Sequence, residues 1–184
     1  MAIKRLVENA NGVLEKNNVE YPRTGNIMAI YPLAEEVAKA ENGMLLAVNY
    51  AAEKIEYPSA TADAIMILDT AEKEYDVNVA GLDQHYITPT HGYMPRLGKL
   101  VVNDRFTTST VVYDDAKYAD NDAIAAAIEA GTVYGKACVS EGFKGCIELT
   151  ETKPTTDKVV LKAVKFTTIP NGDAGIKFAV IIAE

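Results

Sequence analysis

The amino-acid sequence predicts an α+β fold that is mainly antiparallel β, a sandwich or barrel-like meander with one short helix and an N-terminal arm. Short apolar and β-branched runs recur between Gly, Pro and Asn punctuation along most of the chain. The last third alternates apolar and polar residues with period two on either side of two turns. Only Asp122–Ala130 combines helix caps with a helical apolar stripe. At 184 residues the chain fits one domain, at roughly 100–200 residues each, and needs no disulfide or metal to fold. The expected division is an arm over residues 1–26 and a β-rich globular domain over 27–184, with a candidate sub-boundary near 118.

In residues 1–26, Ile3, Leu6, Val7, Ala10, Val13 and Leu14 recur at helical spacing, but Asn9, Asn11 and Gly12 interrupt them. A short helix or strand followed by an extended segment fits this pattern, and its sparse apolar content suggests an arm rather than a core element. Asn26 to Tyr31 is an apolar run stopped by Pro32. Leu33 to Ala40 reads as one or two helical turns or a loop. Glu41-Asn42-Gly43 is a turn. Met44–Ala51 and Glu53–Tyr57 form a strand pair. The continuous apolar run Ala64–Leu68 fits a strand buried on both faces. Tyr75–Val79 is a further strand candidate.

Residues 81–99 carry five Gly or Pro residues, two tyrosines and both histidines of the chain, with no period. A loop this long is expected to be functional or docked on something. Lys99–Val102 and Arg105–Tyr113 resume as strand. The helix Asp122–Ala130 has Asn121 or Asp120 as its cap, Ile124, Ala127 and Ile128 as its stripe, and Gly131 as its stop. Beyond it, Tyr134–Ser140 and Phe143–Leu149 flank Glu141-Gly142. Centring the turn on Gly142 sets Cys138 against Cys146, Lys136 against Glu148 and Ala137 against Ile147. Phe143, Ile147, Leu149, Ala137 and Val139 then share one face. The cysteines share the polar face with Lys136, Lys144 and Glu148. Val159–Thr168 and Ile176–Ala183, joined through Asn171-Gly172, complete an antiparallel meander.

The chemistry-bearing residues form no catalytic constellation. Cys138 and Cys146 match neither a C-x-x-C redox pair nor a zinc knuckle, and read as two small facing residues in a reducing compartment. His85 and His91 with Asp83 are the one candidate metal set, at a separation that suits neither a helical nor a strand pair. No glycine-rich phosphate loop or nucleophile elbow occurs. The net charge is −8, of which −7 lies in residues 27–118. This argues against direct nucleic-acid binding through phosphates. No run reaches the ~20 apolar residues of a membrane span, and the N-terminus lacks a secretory apolar core. No cofactor is implied.

The order of features, from Gly43–Tyr50 and Lys54–Pro58 through Glu72–Asp76, Pro95–Leu100 and Asp104–Ser109 to a small helix and a β meander, resembles small virion proteins of tailed bacteriophages, most closely the capsid decoration class. The likeness covers residues ~27–184 by order of features, and its specific part is residues 95–109. It implies a non-enzymatic protein, made in the host cytoplasm, that docks on the exterior of a capsid and stabilises it. The implied partners are the major capsid protein and further copies in a trimer or quasi-symmetric cluster. Expected contacts are Ile3, Leu6 and Val7 of the arm and Tyr86, Tyr93, Met94 and Arg96 of the loop, because aromatic, Met and Arg side chains are enriched at interface cores. Tyr86 and Tyr93 would equally serve to pack the loop on its own sheet. A tail-tube or head–tail joining protein is the rival within the structural class. A small metal-dependent binding or hydrolytic domain is the rival of another class.

Overall fold

The structure, a computed structural model, describes residues 2–8, 11–59, 64–70, 86–91 and 94–184. In chain order its elements begin with β1 (Ile3–Arg5), β2 (Leu14–Asn18), the single turn α1 (Tyr21–Thr24), β3 (Ile27–Met28) and β4 (Ala40–Glu41). They continue with β5 (Leu45–Asn49), β6 (Lys54–Glu56), β7 (Ala64–Leu68), β8 (Tyr86–Ile87), β9 (Leu97–Gly98), β10 (Arg105–Thr108) and β11 (Val111–Asp114). The last are α2 (Asn121–Glu129), β12 (Tyr134–Ala137), β13 (Ile147–Thr150), β14 (Val159–Thr168) and β15 (Ala174–Ala183). The fold is mainly antiparallel β, as expected. An eight-stranded sheet runs β1-β11-β13-β12-β14-β15-β10-β2, a five-stranded sheet runs β3-β9-β7-β5-β6, and β4 pairs with β8.

The five-stranded sheet is a middle layer. Along β5, Leu45 and Ala47 enter one apolar cluster, which they share with Phe106, Ile147, Phe178 and helix α2. Leu46 and Val48 enter a second, with Leu33, Val37 and Ile55. Along β7, Ile65 and Ile67 go to the first cluster and Met66 and Leu68 to the second. Period-two geometry therefore sends every side chain of Ile65–Leu68 into a core, which is why that run lacks polar residues.

Helix α2 forms where expected. Asp120 caps it, its side chain accepting from the Ala123 amide at 2.8 Å, and Gly131 at φ +74° ends it. Its Ile124 and Ile128 are buried in the first cluster. The hairpin register is also as expected, with Lys136 opposite Glu148 and Ala137 opposite Ile147.

Other expectations are corrected. The first 26 residues are not an arm standing apart from the domain. β1 pairs antiparallel with β11 and β2 with β10, so they are the two outermost strands of the main sheet. That sheet also draws strands from both sides of residue 118. A second, four-residue helix adds to the one expected. Leu33–Ala40 forms no helical turn, its last residue opening β4, and the run from Asn26 gives only the two-residue β3. The segment Lys99–Val102 is not strand; β9 lies just before it, between β3 and β7. Arg105–Tyr113 is two strands, because hydroxyls take over the backbone partners at the break: the Thr110 amide donates to Thr108 Oγ1 at 3.1 Å. The last four strands are not a simple meander. β13 is occupied on its far side by a parallel pairing with β11, so β14 pairs with β12 instead. Tyr75–Val79 lies outside the described residues.

Candidate functional site

The N-terminal segment is tied down by polar groups, which a hydrophobic pattern does not reveal. Arg5 forks onto Glu41, its two terminal nitrogens 3.2 and 2.6 Å from the carboxylate oxygens. The same carboxylate accepts from the Gly12 amide at 2.7 Å and meets Lys39 Nζ at 2.5 Å. Glu41 is only 1% exposed. Burial alone would raise its pKa, but the hydrogen bonds and charges of Arg5 and Lys39 outweigh it and hold the carboxyl below the usual value.

Two further carboxylates repeat the device. Asp69 takes Lys16 Nζ at 3.0 Å on both oxygens and the Tyr21 hydroxyl at 3.0 Å. Burial, then the negative charge of Asp69, pushes the Tyr21 phenol well above its ordinary pKa. Asp104 accepts the amides of Glu20 and Val101, both at 2.9 Å. A row of hydroxyls completes the attachment. Thr107 donates to Asn17 Oδ1 at 2.7 Å and Thr108 to the Val13 carbonyl at 2.7 Å, while Ser109 Oγ accepts the Val13 amide at 3.0 Å. The ring of Tyr21 lies against Gly98, where an added Cβ would come within 2.6 Å of it.

The cysteine hairpin is the second feature. Cys138 donates its amide to the Cys146 carbonyl at 2.8 Å and accepts the Gly145 amide at 3.0 Å. With Gly145 at φ +86°, this is a G1 bulge. Its Gly145 carbonyl accepts the Leu45 amide at 2.8 Å, docking the hairpin on β5. The expectation that the cysteines lie on a polar face is corrected: both are buried in the second apolar cluster. The loop also parts the expected apolar face, with Phe143 packed on the second cluster, Ile147 and Leu149 in the first, and Val139 exposed. Burial pushes the Cys146 thiol up to about 12, and Cys138 also upward. Neither is a nucleophile at neutral pH. A cleft of about 500 Å³ opens between this hairpin and β4, with Arg5, Lys39, Glu41, Tyr57, Phe143 and Cys146 in its wall. Of the charged groups in this wall, Arg5 and Lys39 are both already paired with Glu41.

The expected contact residues are scattered. Leu6 is buried in the first cluster, which removes it as a contact in this chain. Ile3 and Val7 are half-buried against the second and first clusters. Met94 is exposed, at 48%. Arg96 is half-buried, and its amide donates to Thr70 Oγ1 at 2.9 Å. The Tyr86 backbone pairs with Glu41 across β8 and β4; its side chain, Tyr93, His85 and Asp83 lie outside the described residues, as does the His91 side chain. Among the described residues no group of three metal-ligating side chains gathers. Exposed apolar side chains that the sequence did not single out are Ile30, at 67%, and Tyr50, whose ring meets that of Tyr31 edge to face at 6.4 Å. The three clamping carboxylates were equally unmarked, because scattered acids have no period. The chain matches no protein-family model, no curated protein and no solved structure.

Proposed function

We propose that this chain is a non-enzymatic virion structural protein that binds the outer surface of a tailed-phage capsid and stabilises it. The supporting observation is the arrangement of the eight-stranded sheet. Its two ends, β1 and β2, present open edges among the described residues, and a sheet edge gains affinity by backbone pairing without a deep pocket. The buried charges are engaged in holding these edge strands in place. The exposed apolar side chains of Ile30, Tyr50 and Met94 supply contact area outside the core. Many identical contacts on a lattice of capsid subunits sum through avidity. The resemblance over residues 95–109 falls on β9 and β10, one in each large sheet.

The test is co-sedimentation with empty shells assembled from the major capsid protein encoded alongside this chain. Pelleting with shells is expected, and Met94→Asp should weaken it by about tenfold, the scale of an interface residue worth more than 1 kcal/mol. A protein that stays in the supernatant at every shell concentration would overturn the reading.

A further inference from the structure

We propose that copies of this chain associate head to tail, the cationic outer face of β14, β15 and β10 in one copy against the acidic β1–β11 end of the next. The inference goes beyond shell binding and does not depend on it.

The register of the main sheet sets Lys165 directly opposite Lys177, with Thr107 and then Glu15 continuing the same row. Two residues along β15 and β10, Lys162, Ala179, Arg105 and Asn18 form the next row of the same face. Lys162 is engaged, its Nζ on the Gly131 carbonyl and 4.1 Å from the Tyr134 ring centroid. Lys165, Lys177 and Arg105 make no ion pair among the described residues. Like charges directly opposite on neighbouring strands destabilise a sheet. A protein of net charge −8 that nevertheless places three cations together without an ion pair among the described residues, with Glu15 as the single acid of the two rows, has a face complementary to acidic protein surface. Val164, exposed at the bulge beside Lys165, adds an apolar contact to it.

The complementary surface is on the same chain. At the far end of the sheet, Glu8, Asp120 and Asp122 rim an open hollow of about 440 Å³, with Asp114 at the end of β11. Among the described residues, the positive charges beside it are Lys4, paired with Asp115 at 3.5 Å, Arg5, held by Glu41, and Lys117, whose amide donates to the Asp114 carbonyl. A cationic face on β14, β15 and β10 and an acidic end at β1 and β11 make a heterologous contact, which closes into a ring or continues as an open run.

The experiment is sedimentation equilibrium of the full chain at low salt and at 1 M salt, where the screening length falls to about 3 Å. The mass is expected to rise with concentration above the 19.9 kDa monomer at low salt only. The Lys165→Gln/Lys177→Gln and Glu8→Gln/Asp122→Asn variants should each remain monomeric, and their equimolar mixture should form a two-chain species that grows no further. Lys165→Glu alone supplies the folding control: it replaces a repulsive pair by an attractive one, so it should raise the melting temperature while weakening association by at least about tenfold. A wild-type chain that stays monomeric at low salt, or variants that associate as the wild type does, would overturn the proposal.

Discussion

Arg5 and Glu41 join the first strand of the chain to β4 through a forked ion pair whose shorter limb is 2.6 Å, with the carboxylate withdrawn from water. Because Gly12 and Lys39 share that carboxylate, one side chain fixes both ends of the stretch between β1 and β2. Arg5→Ala should therefore destabilise the domain by about 3 kcal/mol, at the lower end for a broken buried pair because Lys39 remains. Urea unfolding measures this. A loss below about 0.5 kcal/mol would show the pair to be worth no more than a surface one.

The depressed pKa of Glu41 makes stability depend on acid. Above the ordinary glutamate value of about 4.3, the carboxylate is ionised in both the folded and unfolded chain and its full contribution is present. As the pH falls below that value the unfolded chain takes up the proton first, and stability declines until the folded carboxyl also protonates. Glu41→Gln should be less stable at pH 7 and should show a shallower acid limb in melting temperature. An unchanged acid limb would remove Glu41 from the titration.

Tyr21 predicts the opposite limb. Its raised phenol stays neutral in the fold after the unfolded chain begins to ionise near pH 10, so its contribution is complete below that value and declines as the pH rises further. Tyr21→Phe, which keeps the ring against Gly98, should flatten the alkaline fall in stability followed by circular dichroism. A fall as steep as the wild type's would show that another group governs it.

Two buried thiols with raised pKa values should be chemically silent in the native state. At pH 8, a thiol-specific chromogenic disulfide should find no reactive cysteine in folded protein and both on denaturation. Prompt reaction of Cys146 in the native chain would contradict its burial at the bulge.

Gly145 and Gly142 both have positive φ, +86° and +81°, but differ in surroundings. A Cβ at Gly142 meets nothing within 4 Å, whereas one at Gly145 comes 3.3 Å from Leu46 Cδ2 and 3.4 Å from the Leu45 carbonyl. Gly142→Ala should cost about 1 kcal/mol for the left-handed backbone alone. Gly145→Ala should cost more, because it also presses the hairpin away from β5. Equal melting temperatures for the two variants would deny the bulge its docking role.

What is local was legible in the order of the amino acids. Ala64–Leu68 announced a strand buried on both sides, Asn121 or Asp120 and Gly131 bracketed helix α2, and charge pairing with alternation put Lys136 against Glu148. Each of these signals is written within a few residues, at the period of the element that it builds. Where residues 1–26 belong was set by contacts between distant parts of the chain. Their apolar pattern is thin, and what holds them is three carboxylates between 29 and 84 residues away from the groups of this segment that they bind. A lone acid carries no period, so its partner becomes visible only when the chain has brought the two together. The same holds for the face of Cys138 and Cys146: alternation gave their pairing, but whether that face meets water or a second sheet depends on a distant strand, β5, covering it.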